Sequence, residues 1–416
     1  MPALYHPRMD DAKPPPPGAL DGIRVLDLSR VLAGPWATQI LGDFGAEVIK
    51  VERPGAGDDT RSWGPPFAES NQGRADAAYF LAANRNKKSV AIDFAKPEGA
   101  DLVRALAKQS HIVVENFKTG GLAAYGLDYE SIAAINPSIV YCSITGFGQY
   151  GPYADRAGYD FAIQGMGGLM SLSGEPQGAP IKSAAPVADL FTGMYALAAI
   201  LAALRHAERT GQGQHIDAAL LDCQIAMLAN LGANYLLTGE APQRFGNEHA
   251  SIVPYAVFPT ADGHIILAVG NDSQFRDFCT AAASDLAADP RFVRNADRVR
   301  NREALTAALN ALMATRTTAD WLATLSAARV PCGPVNSVPE VFADPHVGAR
   351  ALVQSFGRSD GTEVRLVRNP LQLSETPPHA RGAPPLLGQD TDAVLAERLG
   401  MDEAQRARLR DAGVIA

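Results

Sequence analysis

The chain is poor in the features that announce a metal centre, a disulfide scaffold or a membrane span. It has four cysteines in 416 residues: Cys142, Cys223, Cys279 and Cys332, with no Cys-x-x-Cys pair. That scatter argues against structural zinc and against a disulfide framework, and it fits a reducing compartment. The eight histidines are dispersed, so no metal site is expected. No apolar signal core stands at the N-terminus, and a cytoplasmic location is the expectation. The most apolar stretch, Met194 to Leu204, is short for a bilayer and runs into Arg205 and His206; it predicts a core helix. A net charge of −8 excludes a general nucleic-acid or membrane surface but leaves room for a local basic pocket. Phosphate and nucleophile motifs are missing too. There is no Walker-type loop, no Gly-x-Ser-x-Gly elbow and no Gly-x-Gly-x-x-Gly after the first apolar run, where Ser29-Arg-Val-Leu-Ala-Gly-Pro35 stands instead. That lowers the case for a nicotinamide-dependent dehydrogenase.

What is present is an ordinary globular balance, 47% hydrophobic and 20% charged, in a chain long enough for two domains. Short apolar runs alternate with helical patterns. Strands are expected at Ile23–Leu28, Ala46–Val51, Ser89–Ile92, His111–Glu115, Ile139–Ile144 and His215–Leu220. Helices are expected over Trp36–Phe44, Pro97–Lys108, Tyr129–Ile135, Asp189–Thr210 and Leu221–Leu237. This β-α alternation predicts an α/β fold with a mostly parallel sheet covered on both faces. After Gly239 the texture changes to a hairpin (Ile252–Phe258 and His264–Val269 around Ala261-Asp-Gly263) followed by helices, including Arg302–Met313 and Thr318–Ala327. The expected division is a tail at 1–19, a large domain at 20–224, a small α+β domain at 225–335, and a C-terminal part at 336–416 returning to the large domain.

Several polar positions suit chemistry, each beside a plainer structural reading. Asp189 falls at the head of the long apolar helix. Local rules make it an N-cap or first-turn acid stabilised by exposed backbone N–H groups. The same donors would keep a nucleophilic carboxylate ionised and stabilise oxyanions. Arg53 and Arg61 lie in a long Gly/Pro loop with Asn84-Arg-Asn-Lys-Lys88 behind it. They read either as solvated charge or as cations for phosphates. Tyr159-Asp160 follows a second glycine loop and suits a helix start. Arg244 and His249 share a loop that suits either a surface connection or a carboxylate.

Collinear segments over nearly the whole chain resemble the family III CoA-transferases. They are Gly22-Ile-Arg-Val-Leu-Asp-Leu-Ser29, Ala33-Gly-Pro35, Gly45-Ala-Glu-Val-Ile-Lys-Val-Glu-Arg-Pro54, Gly57-Asp-Asp-Thr-Arg61 and Asn84-Arg-Asn-Lys-Lys-Ser89. Val114-Glu-Asn-Phe117, Gly146-Phe-Gly-Gln149, Arg156-Ala-Gly-Tyr-Asp160, Ala188-Asp-Leu190 and Pro384-Pro-Leu-Leu-Gly-Gln389 continue the series. Gly57 to Phe67, Tyr141 to Gly146 and Ser251 to Tyr255 look most like the dicarboxylate enzymes.

The resemblance implies a Rossmann-like large domain built from both chain ends, an interlocked homodimer, and transfer of CoA from a donor such as succinyl-CoA to a small carboxylic acid. Glutarate and itaconate are examples of that acid. CoA and acyl-CoA are then substrates, with no permanently bound cofactor. It implies Asp189 as the catalytic nucleophile. It also implies CoA contacts at Val31, Leu32, Ala33, Arg53, Ile92, Asp93, Phe94, Ala95, Asn116, Phe117, Lys118, Ala157, Gly158, Tyr159 and Asp160. Arg244 and His249 are the candidates for a substrate carboxylate. Where some members carry an arginine after the fourth strand, this chain has Ala124, so one phosphate contact is either absent or supplied elsewhere, with Lys118 and Arg156 as the candidates. The competing readings are a 2-methylacyl-CoA racemase of the same superfamily and a non-catalytic CoA-binding protein. The racemases place histidine where Tyr159 stands, and tyrosine is a poor base near neutrality.

Overall fold

The computed structural model describes residues 17–71 and 75–416. The expected tail therefore lies outside the described residues apart from its last three. The apolar runs form strands as expected: β1 (Arg24–Asp27), β2 (Glu47–Glu52), β3 (Lys87–Ala91), β4 (Ile112–Glu115), β5 (Val140–Thr145) and β6 (Gln214–Ala219). All pair in parallel, in the order β3-β2-β1-β4-β5-β6. The strand order reverses between β1 and β4, which leaves a crevice at their carboxyl ends, the usual ligand position in doubly wound sheets.

Between the strands run α1 (Ala33–Asp43), α2 (Ala78–Ala82), α3 (Pro97–Lys108), α4 (Tyr129–Ile135), α5 (Asp160–Met166), α6 (Leu169–Leu172) and α7 (Val187–Thr210), followed by α8 (Leu220–Ala226) and α9 (Ala229–Thr238). Pro97 occupies the first turn of α3, where its missing N–H costs nothing. By length and composition α7 would suit a membrane span. Here Ala188, Thr192, Ala196, Leu197, Ile200 and Leu204 are buried in the core, packed on α1, α5, α8, β5 and β6. Gly193 permits the α1 contact, since a Cβ there would lie 2.7 Å from the carbonyl oxygen of Ala33. The helix expected over Leu221–Leu237 is interrupted. Ala229 takes φ +45° and separates α8 from α9, and α9 buries none of its residues.

The chain forms two compact units. The first comprises the described residues up to 168, with 184–233 and 350–416; the second comprises 169–183 and 234–349. In the second, β7 (Tyr255–Pro259), β8 (His264–Ala268) and β9 (Cys332–Pro334) form an antiparallel sheet, with α10 (Asp272–Ala281), α11 (Asn295–Arg300), α12 (Arg302–Met313), α13 (Thr318–Ala327), α14 (Val338–Ala343) and α15 (Pro345–Ala349). Its core holds Phe258, Phe275, Phe278, Leu309 and Trp321. The chain then returns to the first unit as the hairpin β10 (Val353–Gly357) and β11 (Glu363–Val367), then α16 (Thr391–Leu399) and α17 (Glu403–Asp411). The return is tied to the sheet where Asp390 accepts the Ser89 N–H at 2.8 Å and Asp93 donates to the Val414 carbonyl at 2.8 Å.

These divisions differ from break points at 225 and 335. Residues 225–233 stay with the first unit, where α8, which spans the expected break, packs on α5 and α7. Residues 169–183 join the second because Arg244 donates to the carbonyls of Glu175 (3.2 Å) and Gly178 (2.6 Å).

Arg61 of the long loop, and Arg85 and Lys87 behind it, are not phosphate-facing cations. Arg61 is buried, pairs with Glu52 (2.7 Å) and Asp76 (2.9 Å), and lies over the Phe80 ring. Arg85 pairs with Asp43 at 2.5 Å, and Lys87 with Asp27 at 3.0 Å. Sheet entry of Lys87 starts β3 two residues before the apolar run at Ser89. Lys50 closes the group on Asp58 (2.9 Å) and the Ser29 carbonyl (2.8 Å). Removing one member strands its buried partners. Arg61→Ala is expected to cost about 3–5 kcal/mol, read as a lower urea midpoint at unchanged m-value.

Candidate active site

The crevice at the carboxyl ends of β1, β2, β3 and β4 is a cleft of about 430 Å³. Leu28 and Arg30 line it after β1, Arg53, Gly57 and Asp58 after β2, Ile92 to Ala95 after β3, and Phe117 after β4. Six of the residues expected to contact CoA thus share one cavity: Arg53, Ile92, Asp93, Phe94, Ala95 and Phe117. Phe94 meets the rings of Phe117 and Tyr125 edge-on, at 5.7 and 5.6 Å, as an apolar wall. Arg30 lies 5.0 Å over Phe117 and pairs with Asp59 at 3.1 Å. Arg53 is exposed at the mouth and makes no ion pair among the described residues, so its charge is available to an anion.

The other expected contacts are not on the wall of this cleft. Asn116 joins the β1 and β4 loops: its amide accepts the Arg30 N–H at 2.8 Å and donates to the Arg30 carbonyl at 2.6 Å. Lys118 is exposed. Arg156, the other substitute for the missing arginine, stacks at 3.9 Å on Tyr153. Val31 takes φ +68°, a conformation β-branched residues rarely hold, and its N–H donates to Asp58 at 3.3 Å. Leu32 and Ala33 are buried at the start of α1. Beneath Phe117, Glu115 accepts that residue's N–H at 2.7 Å, and burial without a cationic partner pushes its carboxyl up to about 7.

Ala157 to Asp160 reach their place by a close backbone crossing. A Cβ on Gly158 would lie 2.4 Å from the Gly146 Cα, so only glycine lets this loop lie against the end of β5. Tyr159 is largely exposed. Asp160, at the first position of α5, turns toward α7. It accepts N–H donation from Ala188 at 2.8 Å and from Asp189 at 3.2 Å, and the Gln164 amide donates to its other oxygen at 2.6 Å.

This arrangement corrects the local reading of Asp189. Helix α7 begins after Pro186, whose side chain cannot cap it, and Asp189 makes no cap of its own. The first four N–H groups are all engaged: Val187 on the Ala185 carbonyl, Ala188 and Asp189 on Asp160, and Leu190 on the Pro186 carbonyl. No helix-terminal donor is left for the Asp189 carboxylate or for an oxyanion. Burial, and then the neighbouring Asp160 charge, raise the Asp189 carboxyl to about 7.

Tyr79 was not legible as a site residue. It sits in the long loop's helix α2 with its ring edge-on to Trp63 at 5.4 Å. Its phenol is pushed up to about 12 by burial and then by Asp189, Asp160 and Asp58. Asp58 lines the cleft, so one phenol lies within electrostatic reach of both the cleft wall and Asp189.

Arg244 and His249 belong to the second unit. Arg244 holds the 175–178 turn as described. His249 accepts the Ser251 N–H on Nδ1 at 3.0 Å and lies against Tyr255.

Known proteins agree with this architecture. The chain is 52% identical to a succinate–glutarate CoA-transferase of Agrobacterium fabrum, over 94% of this chain and 97% of that protein. It is 42% identical to a human succinyl-CoA:glutarate CoA-transferase, over 98% of this chain and 91% of that protein. A crystal structure of a CaiB/BaiF family protein from Brucella suis superposes with a TM-score of 0.82 at 49% identity, covering 92% of this chain and 100% of that one. The family model for CoA-transferase family III matches residues 20–391, and the chain belongs to that family of enzymes.

Proposed function

We propose that this enzyme moves CoA from succinyl-CoA to a dicarboxylic acid such as glutarate or itaconate, through covalent intermediates on Asp189. The observation that carries the reading is a half-buried carboxyl at the head of α7, raised toward neutrality and deprived of helix donors, whose charge is felt by the Tyr79 phenol together with that of Asp58 on the wall of the cleft that has exposed Arg53 at its mouth. The named activities of the two similar transferases supply the donor and the acid class. An acetyl-CoA:oxalate CoA-transferase of Acetobacter aceti, 37% identical, keeps the acid itself open.

In the proposed cycle an Asp189 oxygen attacks the thioester carbonyl. The C–S bond breaks, giving a mixed anhydride and CoA thiolate. The thiolate attacks the aspartyl carbonyl, and the donor acid leaves as its carboxylate. The acceptor carboxylate then repeats both steps in reverse order. Each exchange replaces one activated acyl bond with another, so no ATP is required. Arg53 faces the CoA phosphates, and Ile92 to Ala95 with Phe117 line the pantetheine and adenine path. The acceptor's far carboxylate falls to Arg244 or His249. Exposed Tyr235, Leu236 and Leu237 on the second unit, with Tyr159 and Phe161 on the first, favour burial against a second copy, in keeping with an interlocked homodimer.

Three outcomes test this reading. Mixing the protein with succinyl-CoA and measuring intact mass should show a CoA adduct; Asp189→Ala should lack both the adduct and transfer while remaining folded. Substantial transfer by that variant rejects the nucleophile. Arg53→Ala should raise KM for the CoA thioester about tenfold, ~1.4 kcal/mol, with kcat near wild type. Arg244→Ala should raise KM for dicarboxylates more than for monocarboxylates; equal effects count against its role.

A further inference from the structure

The mechanism above uses Asp189 but leaves open why a second carboxylate is fixed beside it. A bare helix start welcomes an acid, and Asp189, three residues into α7, is placed to profit from that. Asp160 takes the donors instead, with two N–H bonds at 2.8 and 3.2 Å, and is itself steadied by the Gln164 amide at 2.6 Å. Resting on the reading that Asp189 is acylated, we propose that Asp160 is a positioning residue whose charge drives Asp189 from free carboxylate to covalent acyl intermediate.

The argument is a charge balance. In the net half-reaction a carboxylate oxygen of Asp189 is lost to the donor acid and a C–S bond to CoA forms in its place. Asp189⁻ plus the acyl-CoA thioester becomes a neutral aspartyl-CoA thioester plus the departing acid's carboxylate. One negative charge leaves a half-buried position beside Asp160 and ends on a molecule free to reach water. Like-charge repulsion penalises the free carboxylate and does not act on the neutral thioester. The same hydrogen bonds fix the backbone of Ala188 and Asp189, so the repulsion acts at a set distance.

The surroundings leave Asp160 as the charge that matters. Among the described residues, the titratable neighbours of Asp189 are Asp160 on α5 and the Tyr79 phenol on α2, which also senses Asp58. On α8, Cys223 is held by Thr192, and burial pushes its thiol up. From α1, Gly193 meets Ala33 and Trp36, which carry no charge. Burial of Asp189 is the larger cause of its raised pKa and remains when Asp160 is neutralised.

The test is Asp160→Asn, which keeps an oxygen for the two N–H groups, lets the Gln164 amide turn to accept, and removes the charge. With wild type, the acid limb of kcat/KM should fall near pH 7, activity rising as Asp189 ionises. In Asp160→Asn the limb should move about one unit lower. In parallel, each protein is equilibrated with succinyl-CoA at graded succinate, and the adduct is quantified by intact mass. The succinate that strips half the adduct should be about tenfold lower in Asp160→Asn. Asp160→Glu, which restores charge, should return both values toward wild type. Asp160→Ser serves as a second neutral variant if the asparagine protein does not fold. An unmoved limb and an unmoved adduct midpoint in a folded neutral variant would overturn the proposal, leaving Asp160 a helix cap alone. Absence of any adduct in wild type would instead sink the covalent reading on which it stands.

Discussion

The hydrogen bonds from the first turn of α7 to the Asp160 carboxylate govern the site. They close a helix that begins after proline and has no cap of its own. They also consume the donors that would make Asp189 an ordinary ionised surface acid. A carboxyl so placed is desolvated, faces a like charge and has no compensating cation among the described residues, so its protonated form is favoured. An acid on α5 that caps α7 thus raises the pKa of a carboxyl in the first turn of the helix it caps.

The cleft at the strand ends depends on charges that pair with one another. Asp27, Lys87, Lys50 and Asp58 pair beneath the β1 and β2 loops, and Arg61 joins Glu52 to Asp76. Buried pairs of this kind add little net stability over apolar packing, but breaking one is costly. Their effect is to hold specific loops at specific strand ends. Val31, at an unfavourable φ, is held by the Asp58 carboxylate, and Asn116 clamps the loops on either side of the strand-order reversal. Arg61, Lys50 and Lys87 are committed to internal partners, whereas Arg53 at the cleft mouth is exposed and makes no ion pair among the described residues.

Much of the architecture was readable in the chain. Apolar runs separated by helical periods marked all six parallel strands to within a few residues. Pro97 marked the start of α3, and Gly211, at φ +72°, the end of α7. The errors share a cause. Arg61, Arg85 and Lys87 looked like solvated or phosphate-facing charge because their partners lie 9 to 60 residues away. The break at Ala229 inside an apolar, helix-forming run carries no local signal. Tyr79 reaches the site only because the long loop folds back through α2.

By itself the sequence determined the succession of strands and helices, because hydrophobic period and turn chemistry act over a few residues. Through motifs collinear along its length, it also determined the kind of enzyme. Only the tertiary structure decided which carboxylate caps α7 and which is left without helix donors. That choice is made by a residue 28 positions upstream, and neither burial nor the field of a neighbouring charge exists until the chain has folded.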